Sequence, residues 1–191
     1  MGLLESVGFG IALGFSLAVP PGPMNALIAS QTVRSLRAGV VTGCGAMTAD
    51  GILGVVVLSL VRLVDLTVVV RPLYAVGAAM MVYLGLRIIR GGRSRPGPPP
   101  GDVRTFSQAL GVGITNPFQV GWWLTAGLAF ARFGGPVLFA GLFGAIAVWV
   151  VGFPLALHAG TARYPRLGEG VAYLSGAIMF GFAGYFAYLL V

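Results

Sequence analysis

Asp50 is the residue of this chain best placed to do chemistry. It lies in Gly43-Cys44-Gly45-Ala46-Met47-Thr48-Ala49-Asp50-Gly51, at the centre of an apolar run from Gly39 to Val61. Inside a bilayer a carboxylate costs roughly 3 kcal/mol, so its retention points to a cation or proton to be handled. A structural pairing with an Arg or with backbone amides is the alternative. Gly39, Gly43, Met47, Asp50 and Gly54 fall on one helical stripe. Small residues there allow another backbone to approach, which turns Asp50 toward the protein interior.

The second chemical feature is a broken backbone. Pro20-Pro21-Gly22-Pro23 puts three prolines into four residues, removing successive helical hydrogen bonds together. Amides freed inside an apolar segment must line a cavity or meet a ligand. A half-helix starting at Met24 directs its first N–H groups and its positive dipole end into the break, a setting for a carboxylate. Asn25 adds an amide side chain. Thr115-Asn116-Pro117 repeats the pattern with one proline, which by itself is equally a plain kink. Gln119 follows one turn after Asn116, and Trp122 and Trp123 line a cavity or sit at a membrane interface. The expected substrate-binding set is Pro21, Gly22, Pro23, Met24, Asn25, Asn116, Pro117, Gln119, Trp122 and Trp123, with Asp50 for proton coupling.

Other chemistries find no residues. One Cys (Cys44) and one His (His158) cannot build a metal cluster or a redox pair, so no metal and no cofactor is expected. No Gly-rich loop with a Lys, Ser/His/Asp set or paired carboxylates occurs, and enzymatic activity is not expected. Cys44 reads as a small packing residue, Trp149 and Pro154 as packing and kink, and His158 as interfacial.

These groups need elements that cross a bilayer. Of the 191 residues 57% are hydrophobic and 9% charged, against roughly 25% charged in soluble domains; mean hydropathy is +0.92. The balance excludes a soluble enzyme and, despite a net charge of +7, a nucleic-acid partner. The predicted class is an all-α integral membrane protein with six spans: Leu4–Thr32, Gly39–Val61, Arg71–Ile89, Phe106–Phe130, Pro136–His158 and Val171–Val191. The N-terminal run carries Glu5 and no basic region, and is expected to be the first span and not a cleaved leader. Residues 1–90 form one three-helix repeat and 106–191 the other. Residues 91–105, Pro-, Gly- and Arg-rich, form a cytoplasmic linker.

With the N-terminus outside, nine Arg face the cytoplasm (34, 37, 87, 90, 93, 95, 104, 163, 166) and three lie outside (62, 71, 132). Both termini are therefore expected outside a cell membrane. Three spans per half invert the second half relative to the first, the plan of many secondary transporters, with the first and fourth helices broken.

Pro21-Gly22-Pro23-Met24-Asn25, Gly39, Gly43, Asp50, Asn116-Pro117, the run Trp149 to Pro154 and Ser175-Gly176 together resemble the LysE superfamily of amino-acid exporters. The likeness covers nearly the whole chain. It implies efflux of lysine-, arginine-, threonine- or homoserine-like compounds driven by the proton or ion gradient, without ATP. It also implies that the Pro21-Gly22-Pro23 break meets substrate, with Asn116-Pro117 as its counterpart and Asp50 as the acidic residue. Thiol-disulfide carriers of similar fold need two intramembrane cysteines, and this chain has one. A heavy-metal or other small-molecule exporter of the superfamily is an alternative, though Cys and His clusters are missing. A non-transporting membrane scaffold is another, and would suit an apolar interior without broken spans. Beyond Asp50 no acidic residue lies deep in a span, so neutral or apolar amino acids are as open as basic ones. The expected partners are an amino-acid substrate, the lipid bilayer and, as one option, a second copy in a homodimer.

Overall fold

The computed structural model describes residues 2–60, 66–92, 101–164 and 166–189. Their elements are all helical: α1 (Leu3–Ala18), α2 (Pro23–Thr32), α3 (Leu36–Leu60), α4 (Leu66–Gly92), α5 (Asp102–Thr115), α6 (Pro117–Trp122), a π-helical turn (Trp123–Gly127), α7 (Leu128–Arg163) and α8 (Arg166–Tyr188). Among the described residues three helices are each long and apolar enough to cross a membrane: Leu36–Ser59, Gly135–Arg163 and Arg166–Tyr188. The pair α1 and α2, bent by 77°, makes a fourth if counted as one span. The expected linker falls mainly on residues 93–100, which lie outside the described residues together with Arg62, Arg93 and Arg95. The helix after it begins at Asp102, four residues before the expected Phe106.

Each interruption has a local cause. Pro20 to Pro23 ends α1 and starts α2, with Gly22 extended at φ −156° and Pro23 as the first helical residue. Asn116, at φ −79° and ψ 109°, separates α5 from α6, and Pro117 opens α6. Gly135 is the one described residue with positive φ (55°), and it joins two helical arms within α7. Only glycine adopts that conformation without strain. Two of the most deeply buried hydroxyls are satisfied inside their own helices, as an apolar surrounding favours. Thr32 and Thr42, both fully buried, donate to the Ile28 and Ala38 carbonyls at 2.8 and 2.7 Å.

α1 packs chiefly on α7, α3 on α5 and α4 on α8, while α2 fits between α3 and α8. Glycines let the first two pairs approach closely. Gly141 faces the Val7 carbonyl across α1 and α7, and Gly45 faces the Phe106 carbonyl across α3 and α5. Two apolar cores result. One gathers Leu27, Met81, Leu84, Val112, Met179 and Phe186; the other gathers Leu13, Leu17, Leu53, Trp123, Leu142 and Ile146.

One end of the bundle is basic. Arg37 pairs with Asp102, tying the starts of α3 and α5 together. Burial, and then the neighbouring Arg87 charge, hold the Arg34 guanidinium below its ordinary range. Val33 sits against Gly168 at the start of α8. The expected cytoplasmic residues Arg34, Arg37 and Arg87 thus share one end with the first turns of α5 and α8. The Arg37–Asp102 pair is solvent-exposed (79% and 44%) and contributes little to stability.

Candidate functional site

The two breaks meet at one small cavity between the cores. Gly22, Pro23, Met24 and Asn25 line it from the first break, Asp50 from α3, and Asn116 and Gln119 from the second break. Its volume is about 50 Å³, room for a few water molecules. In this conformation the site is closed around Asp50, which is 5% exposed. The stripe on α3 faces inward as expected, with Gly54 against the Trp123 ring and Gly43 against Val150.

Asp50 is held by two donors on one oxygen. Gln119 Nε2 donates to Oδ1 at 2.9 Å and the Trp123 indole Nε1 at 3.4 Å. Behind Gln119, Asn116 Nδ2 donates to its Oε1 at 3.2 Å, while Asn116 Oδ1 accepts from the Phe118 amide at 3.1 Å. Asn116 is therefore a helix cap and a relay at once. The first break differs. No side chain caps α2, so the Met24 and Asn25 amides open beside the cavity.

Asn25 serves the other side of that break. Its Nδ2 donates to the Ala18 carbonyl at 2.6 Å and to the Pro20 carbonyl at 2.9 Å, and its Oδ1 accepts from the Trp149 indole at 3.1 Å. Asn25 and Asn116, both in the expected substrate-binding set, line the cavity with their side chains engaged in this conformation. Asn25 is held by the α1-end carbonyls and Trp149, Asn116 by Gln119 and the Phe118 amide. Asn25→Leu keeps the volume and strips the donors, so thermal unfolding in detergent should report a loss of about 2 kcal/mol. An unchanged midpoint would show that the carbonyls find other partners.

Over residues 15–190 the sequence matches the family described as LysE type translocator. The chain belongs to the LysE family. A relative provisionally named an amino acid efflux protein, YcgF of Bacillus subtilis (strain 168), is 28% identical over 204 residues, covering 93% of each chain. No solved structure matches. Family membership and the apolar helices make the chain a multi-pass membrane protein of a translocator family.

The remaining expected residues of this LysE-family chain divide among other places. Trp123, fully buried, stacks near Phe139 and Phe143 and reaches Asp50 from behind. Pro21 lines a neighbouring crevice. Pro117 and Trp122 line a third cavity of about 330 Å³ with Tyr74, Phe182 and Tyr185, away from Asp50. Cys44, expected to pack, is exposed. Trp149, expected to be a packing residue, lines the Asp50 cavity and holds Asn25. The signal for it lay in its type: a mid-helix indole N–H in an apolar segment needs a partner.

Proposed function

We propose that this chain is a secondary active transporter exporting amino acids or close derivatives from the cytoplasm, coupled to the proton gradient. The observation that carries this reading is the buried Asp50 carboxylate at the same cavity as the uncapped start of α2. The two ends of a zwitterion match these two features. An α-carboxylate is stabilised at the Met24 and Asn25 amides and the α2 dipole. An α-ammonium is stabilised at Asp50 Oδ2, since Gln119 and Trp123 both donate to Oδ1. Protonation of Asp50 from outside weakens the ammonium contact and releases the substrate. Asp50 is deprotonated again toward the cytoplasm and the cycle repeats. The name of YcgF agrees with amino-acid efflux.

The architecture that suits this cycle is six spans in two inverted halves, with residues 1–90 and 106–191 as the repeats. The crossed packing of α1 on α7 and of α5 on α3 supports it, because exchange of the two halves interconverts these pairs. Arg34, Arg37 and Arg87 at one end support a cytoplasmic face there, with both termini outside the cell membrane. A membrane scaffold has no use for a bent span and a buried carboxylate network. An export screen with radiolabelled amino acids in cells producing the chain tests the reading. Faster loss of at least one amino acid than in cells lacking it is the expected result, and no accelerated loss of any amino acid would reject it.

A further inference from the structure

We propose that the apolar crevice between α2, α7 and α8 takes the side chain of the transported amino acid, so that the substrates are amino acids with large, uncharged, apolar side chains. The inference rests on the transport reading above and narrows its substrate class. The crevice measures about 310 Å³, at the lower end of volumes that hold a small ligand. Its walls include Ala29, Phe153, Leu157, Leu174 and Ile178, and none of the described residues lining it is charged. It adjoins the polar cavity, and the two share three wall residues, Gly22, Asn25 and Trp149. The Trp149–Asn25 hydrogen bond, 3.1 Å long, forms the partition between them.

A substrate with its carboxylate at the α2 amides and its ammonium at Asp50 has its Cα beside that partition. Past Asn25, once Trp149 lets go, its side chain reaches the crevice. Trp149 stacks on Phe153 with centroids 5.1 Å apart and planes within 3°, which links the indole to the crevice wall. A lysine or arginine side chain entering the same space finds no carboxylate. Among the described acids, Glu5 and Glu169 lie in first turns of α1 and α8, and Asp102 is paired with Arg37. An unpaired charge in such a lining is strongly disfavoured. A glycine-sized substrate leaves the crevice unfilled and forgoes the apolar contact.

The test is counterflow of radiolabelled leucine by the purified full chain in liposomes, which needs no ion gradient. Phenylalanine, isoleucine and methionine should compete at least about tenfold better than lysine, glutamate or glycine, the scale on which pocket contacts discriminate. Ser175→Leu, which narrows the crevice from α8, should lose phenylalanine relative to alanine by a similar factor. Phe153→Ala, which widens it, should shift preference toward the bulkiest side chains, and so decides the matter if Ser175→Leu does not fold. Lysine or glutamate carried as well as leucine overturns the inference. So does an unchanged ranking in both variants, the result expected if lipid acyl chains fill the crevice. Either outcome leaves amino-acid transport standing. Wild-type protein that exchanges no amino acid of any class removes the transport reading and this inference with it.

Discussion

Asp50→Asn is expected to abolish gradient-driven export while leaving the protein folded and inserted. The substitution preserves size, and the amide oxygen it introduces can still accept from Gln119, which now donates to Oδ1 at 2.9 Å. What disappears is the negative charge that the proposed cycle sets against the substrate ammonium, and with it the proton uptake that the cycle requires. Truncating one partner of a desolvated charge pair costs about 2–5 kcal/mol, and each 1.4 kcal/mol is about tenfold in rate or affinity. Export in proteoliposomes with an imposed pH gradient should therefore fall by about thirtyfold to a few thousandfold. Any residual flux should no longer depend on the external pH. Wild-type rates with the usual response to the gradient would return Asp50 to a structural role.

Gly10→Val should destabilise the fold severely. A methyl group on Gly10 would overlap the Leu138 carbonyl oxygen of α7, and would lie 3.0 Å from its carbon and 3.1 Å from the Leu142 nitrogen. These are backbone atoms of a long helix and cannot move aside as a side chain would. Gly141 meets α1 from the other side, 2.5 Å from the Val7 carbonyl oxygen by the same measure. The contact is locked from both directions. Forcing it apart costs about 3 kcal/mol or more, and it displaces α1, whose end forms the first break. The yield of monodisperse protein in detergent and its thermal unfolding measure the effect. Gly8→Val is the control. A methyl there meets nothing within 4 Å, so its stability should stay within about 0.5 kcal/mol of the parent. Equal behaviour of the two variants would contradict the close approach of α1 and α7.

The sequence by itself determined what depends on local backbone chemistry and on the cost of polarity in an apolar setting. Proline supplies no N–H and fixes φ, so the break at Pro20 to Pro23 was legible without knowing any neighbour. The lone Pro117 left a break and a plain kink equally open, as Pro72 and Pro154 inside helices illustrate. A lone carboxylate in an apolar helix beside small residues has one tolerable direction, inward, and Asp50 takes it. The helical class and the family resemblance were legible from composition and motifs in the same way.

Only the tertiary structure decided which groups meet. Trp122 and Trp123 are adjacent and chemically alike, yet one lines the cavity with Tyr74 and the other donates to Asp50. The π-helical turn beginning at Trp123 alters the helical phase there, and no periodicity count includes such a shift. Asn25 and Asn116 look equivalent in sequence. Asn116 caps its own half-helix, whereas Asn25 reaches back to the carbonyls of α1 and accepts from Trp149 on α7. That choice depends on a partner 124 residues away in the chain. A hydrogen bond between distant helices follows from how their surfaces pack, and packing belongs to the fold as a whole.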